Sequence, residues 1–139
     1  MKNSDFQIVG FPIIKKFHLD LSDDLDIKNF NIKKIKTEIE NEIESIKENS
    51  CVIKQKVKLS FGKIDNPFKL EVVALGTFEW NDKVSDKELP GLIMYNTSAA
   101  ILSFIRPIIS SNLVYSGLPP YIIPLINFYE NEEEDDDDK

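Results

Sequence analysis

The sequence predicts an α+β fold in which antiparallel strands precede one dominant helix. Two features carry that expectation. Segments before residue 81 alternate apolar and polar residues with a period of two, as half-buried strands do. A long apolar block follows, opened by a helix-capping pattern and closed by a glycine and two prolines. At 139 residues the chain is sized for one domain with a real core.

Residues 6–21, "FQIVGFPIIKKFHLDL", mix β-branched and aromatic residues, and Phe17, Leu19 and Leu21 alternate with Lys16, His18 and Asp20. That reads as a strand, and "DDLDIKNFN" after it as a loop. The stretch "IKTEIENEIESIKENSC" fits two elements. Ile35, Ile39, Ile43 and Ile46 share one helical face, yet Ile35, Thr37, Ile39, Asn41 and Ile43 also alternate with charged neighbours. "ENS" suits a turn. Ile53, Gln55, Val57 and Leu59 then mark a strand, "GKIDNPF" a turn, and "FKLEVVALGTFEW" the next strand. Ser85 and Glu88 form a capping box ahead of an apolar helix within residues 89–114. Pro90 suits a first turn, whereas Pro107 must bend the helix or open a hydrogen bond. Gly117 supplies a left-handed cap, and Pro124 keeps "YIIPLINFY" extended.

The net charge of −7 comes from the carboxyl end. Residues 130–139 hold eight of the 24 acidic residues and one of the 17 basic ones, leaving 16 of each in residues 1–129. The expected layout is therefore a neutral domain, 1–129, and a disordered acidic tail, 130–139. Three readings of the tail stand open: a solubilising segment, a docking segment for a basic partner, or in part a remnant of recombinant expression, since "DDDDK" is a common protease-cleavage sequence. With no basic stripe, nucleic-acid binding is not expected. A lone cysteine, Cys51, excludes an internal disulfide and fits a reducing compartment. The amino terminus lacks a signal-peptide pattern, and apolar runs are too short for a spanning helix. The expectation is a soluble, cytoplasmic protein.

Candidate chemistry is sparse. His18, the one histidine, sits on the charged side of an alternating strand, and no motif joins it to Cys51 as a nucleophile pair. One histidine and one cysteine do not make a zinc site. The glycines are isolated, so no phosphate loop forms, and "DLSDDLD" lacks the glycine and glutamate of a calcium loop. The apolar block is the informative feature. A helix apolar nearly all round must be covered on both sides, the second by another subunit.

These pieces resemble the SecB family of export chaperones. The resemblance rests on "FQI" in the first strand, Phe68-x-x-Glu71-Val72 and Gly76-x-Phe78 before the helix, and "AAILSFIRPIISSNLV" within it. Most specific is the close, Gly117-x-Pro-Pro followed by "IIPLINF". The match spans about residues 6–128, strongest from Phe68 onward. It implies a four-stranded antiparallel sheet on one long helix, a strand at residues 35–44, and a homotetramer built as a dimer of dimers. It also implies an ATP-independent holdase with no cofactor or metal, binding unfolded or precursor proteins in apolar grooves. Groove residues by this resemblance are Phe78, Trp80, Tyr95, Leu118, Tyr121, Ile122 and Ile123. Glu71 matches a position that docks the translocation ATPase SecA, but Lys69, Lys15 and Leu19 depart from the neighbouring docking pattern. The family's second helix is replaced in sequence by the acidic tail. The alternative within the fold is a dedicated chaperone of one partner, such as an antitoxin. A different class, a small enzyme using Cys51 or His18, requires partner residues that the sequence does not show.

Overall fold

The computed structural model describes residues 5–63 and 65–124. The acidic tail and the question of a second family helix lie outside the described residues. Five antiparallel strands form one sheet: β1 Phe6–Ile8, β2 Ile13–Leu21, β3 Lys36–Lys47, β4 Ser50–Ser60 and β5 Phe68–Trp80. The order is β1-β5-β4-β3, with β2 also on β5. β1 pairs with the end of β5 (Phe78–Trp80) and β2 with its earlier part (Phe68–Leu75), so both lie along one edge.

The expected single first strand is thus two strands, and the sheet has five strands in four positions. The break has a local cause. Gly10 adopts φ +68°, a conformation that costs glycine little, and Pro12 supplies no backbone donor. Phe11 at this break is 81% exposed and sets its ring edge-on to Phe104 of the helix, centroids 5.5 Å apart.

The ambiguous isoleucine–glutamate stretch is strand β3. Its glutamates favour helix locally, but Glu38, Glu40 and Glu42 stand opposite Lys58, Lys56 and Lys54 of β4. Opposite charges paired across strands stabilise a sheet, and that non-local gain overrides the local preference. The β3–β4 turn closes on Asn49 at φ +62°, a left-handed value that asparagine tolerates.

One continuous helix, Leu89–Tyr115, covers one face of the sheet. It starts α-helical at Leu89–Gly91, widens into a π turn at Leu92–Asn96 and runs α-helical over Thr97–Tyr115. By length and composition it could cross a membrane, yet Ile101, Ile105, Ile109 and Leu113 are fully buried (0% exposed) on the sheet. They meet the inner face of β4 and β5, which carries Ile53, Val57, Leu59, Phe68, Leu70, Val72, Ala74 and Phe78. On the opposite side, which the described residues do not cover, Ala99, Ser103, Pro107 and Ser111 are exposed. Pro107 leaves the helix unbroken, and the Ser103 carbonyl that loses its donor lies on this exposed side.

Both ends match their sequence signals in part or whole. Ser85 Oγ accepts from the Glu88 N–H at 3.1 Å, half of the capping box. At the other end Gly117 takes φ +87°, Leu118 N–H bonds Leu113 O and Gly117 N–H bonds Val114 O, each at 3.0 Å. Those paired bonds are a Schellman cap, sealed by Leu113 against Leu118 in the core.

The helix lies so close to β5 that a Cβ on Gly76 would stand 2.8 Å from Ile101 Cγ1. Gly76→Ala is expected to cost about 1–3 kcal/mol by overpacking, read as a lower urea midpoint; an unchanged midpoint would mean the helix shifts freely. Burial pushes the Cys51 thiol from 9.0 up to about 11. Above pH 9 the unfolded chain gives up this proton while the folded chain keeps it, so stability falls as pH rises from 9 toward 11. The fall should shrink in Cys51→Ala; identical pH profiles would exclude Cys51 as its source.

Candidate functional site

A groove runs between the long helix and edge strand β3, and the chain fills only part of it. Residues 118–124 leave the helix cap and lie extended in this groove. The Tyr121 hydroxyl shares a hydrogen bond with Thr37 Oγ1 of β3 at 3.2 Å. From the helix side, Arg106 Nε donates to the Ile123 carbonyl at 2.8 Å. Leu118 and Ile123 insert into the core, while Ile122, between Pro120 and Pro124, is 65% exposed.

Further along β3 the groove is open. A cleft of about 440 Å³ is walled by Asn41, Glu42 and Ile43 of β3, Ile53 of β4, and Ile93, Met94 and Ser98 of the helix. Ile43 is 48% and Met94 54% exposed. Beside the cleft, the outer edge of β3 pairs with no strand among the described residues. Its N–H and C=O groups are a template for an added strand. A second, smaller cleft of about 170 Å³ lies on the other flank, between Phe6 and Ile8 of β1, Phe78, and Leu92, Asn96 and Ala100 of the helix.

Polar contacts under the first cleft hold helix and sheet apart at a set distance. Gln55, fully buried, donates through Nε2 to the Ser98 carbonyl at 2.9 Å and to Asn41 Oδ1 at 3.0 Å. Its Oε1 has no partner among the described residues. A buried acceptor left unpaired costs about 1–3 kcal/mol, so this position is tuned to the bridge between β3 and the helix rather than to stability alone.

The seven residues singled out by resemblance fall into three settings. Phe78, Leu118 and Ile123 are core residues in this chain. Trp80, Tyr95 and Tyr121 are half-buried. Trp80 stacks on Phe6 at 5.6 Å and 10°, and Phe6 on Phe78 at 6.0 Å and 24°, forming an aromatic end to the sheet. Ile122 alone is exposed. Tyr121, Ile122 and Ile123 come together in the filled half of the groove, while Trp80 and Phe78 stand across the sheet at β1. Sequence reasoning did not single out the open cleft: Ile43, Ile53, Ile93 and Met94. The signal for Ile43 was present in the alternation of β3; nothing local marks Met94.

Glu71 lies on the outer sheet face, opposite His18 and Lys58 in register. Its Oε1 is 3.3 Å from Lys16 Nζ, an exposed ion pair worth little on its own. His18 is on this outer face and Cys51 on the inner one, so the sheet separates the two candidate nucleophile partners. Among the described residues no three histidine, cysteine, aspartate or glutamate side chains are grouped to hold a metal.

No protein-family model matches the chain, and no curated protein matches it in sequence. Solved structures do resemble it. The SecB-like chaperone Rv1957 of Mycobacterium tuberculosis, solved with a ChAD peptide from the HigA1 antitoxin Rv1956, gives a TM-score of 0.66 at 12% identity, over 88% of this chain and 92% of that one. A protein of unknown function from Streptococcus agalactiae gives 0.46 at 11% identity, over 86% and 98%. With its antiparallel sheet under one long helix, the chain has a SecB-like fold.

Proposed function

We propose that this protein is an ATP-independent holdase of the cytoplasm, taking extended apolar segments of unfolded or precursor proteins into the helix–β3 groove. One observation carries the reading. The chain's own residues 118–124 already lie extended in this groove, anchored by Tyr121, Arg106 and buried apolar side chains, and among the described residues the groove continues open beside an unpaired strand edge. A client strand would pair with β3 through its backbone and place alternate apolar side chains against Ile43, Ile53, Ile93 and Met94. Backbone pairing with apolar anchoring accepts many sequences, as a holdase requires. The step involves no bond chemistry, cofactor or nucleotide.

Delivery to protein export is the leading use. A dedicated chaperone of one partner is the second, favoured by the antitoxin peptide in the similar mycobacterial structure. In an export role, SecA docking at Glu71 would compete with the Lys16 ion pair. The exposed small residues Ala99, Ser103, Pro107 and Ser111 of the helix are the proposed contact of a homotetramer, which sedimentation would test. Dimerisation there leaves the groove beside β3 accessible.

The test is binding of a fluorescently labelled slow-folding protein in its unfolded and native forms. Only the unfolded form should bind. Ile43→Asp and Met94→Asp, both at exposed positions, should each weaken binding about tenfold or more without changing the melting temperature. Ile122→Asp should also weaken it, whereas Ile123→Asp buries a charge and should destabilise the fold. Equal affinity for native and unfolded forms would sink the holdase reading; capture of one partner alone would select the dedicated chaperone.

A further inference from the structure

We propose that the Thr97 hydroxyl is the positioning group for both clefts, because it holds the π turn that fixes the helix register. The inference builds on the binding role assigned to the groove. In the π turn the Thr97 N–H bonds Leu92 O, one residue beyond the Ile93 O that an α-helix would use. The Thr97 hydroxyl donates to Ile93 O instead. Ser98 Oγ does the same for Met94 O at 3.1 Å. Thr97 is fully buried and Ile93 is 8% exposed, so the Thr97 bond is shielded from water.

The geometry confines the effect to one part of the helix. Gln55 holds the Ser98 carbonyl at 2.9 Å, which fixes the helix to the sheet immediately after the turn. The residues before Thr97, those of the turn and those ahead of it, depend on its register. The extra residue rotates the amino-terminal segment by about 100° relative to an unbroken α-helix. That rotation sends Ile93 and Met94 to the first cleft and Leu92 to the second.

Thr97→Val keeps the side-chain shape and removes the donor. Ile93 O is then best satisfied by the backbone N–H of residue 97, which is the ordinary α-helical bond. The turn closes to α, and residues 89–94 rotate away from both clefts.

The experiment reads register without a client. Leu92 is buried, 8% exposed, so Leu92→Cys in a Cys51→Ser background reports the rotation through its rate of alkylation. Thr97→Val should raise that rate about tenfold or more. Thr97→Ser, which retains the hydroxyl, should leave it unchanged. Deleting Asn96 in the Thr97→Val chain turns the bond from residue 97 to Leu92 O into an α-helical one. It should return Leu92→Cys to slow alkylation and also show that the valine itself does not unfold the chain. Equal rates in all four chains would overturn the proposal. So would a raised rate in Thr97→Val with undiminished binding of the unfolded labelled protein, since the register would then not govern the clefts. Absence of that binding in the wild-type chain would instead overturn the holdase reading, with the alkylation rates still deciding the register.

Discussion

The close seating of one helix on β4 and β5 governs the rest of the molecule. Glycine at position 76 lets Ile101 reach the sheet, and Ile105, Ile109 and Leu113 follow at one-turn intervals along the same line. Because the helix sits low over the middle strands, it cannot also cover the outer ones. β3 on one side and β1 on the other are left with inner faces that only clefts or extended chain can fill. The grooves are a geometric consequence of a single helix laid over a sheet four positions wide.

The filled and empty halves of the β3 groove differ in what they bury. In the filled half, the residues after Gly117 cannot continue as helix. The cap turns them back, prolines keep them extended, and Leu118 and Ile123 complete the core that helix and sheet leave unfinished. In the open half, Gln55 lies buried beneath the cleft and bridges two of its lining residues, Asn41 and Ser98. An amide there prevents the two walls from collapsing together, as two apolar side chains would do. The acceptor left unpaired is the cost of keeping the space open.

Much of this architecture was legible in the chain. The alternation of β4 and β5, the Ser85–Glu88 start, the Gly117 cap and the non-helical run through residue 124 follow from local rules that tertiary contacts did not override. The break in the first strand was written in Gly10 and Pro12 but hidden by the strong alternation after it. β3 could not be decided locally, because its case rests on lysines in another strand. The site was less legible still. Ile122 and Ile123 are adjacent and alike in chemistry, yet one is exposed and the other buried, and only the fold says which. The π turn depends on two hydroxyls beneath a helix and a glutamine from β4, a combination with no signature along the sequence.

The free edge of β3 bears on how concentrated this protein can become. Twelve residues of strand with an edge unpaired among the described residues, beside exposed isoleucines, would let copies stack edge to edge without limit. Two features of β3 work against it. A bulge between Ile43 and Ser45 breaks the register, so a flat, continuous pairing cannot run past Ile43 to the end of the strand. Its outward row of Glu38, Glu40 and Glu42 would meet the same row on a second copy, where like charges repel. Edge-to-edge polymerisation is thus opposed by the strand itself, and crowding or high salt, which screens those carboxylates, sets where that protection ends.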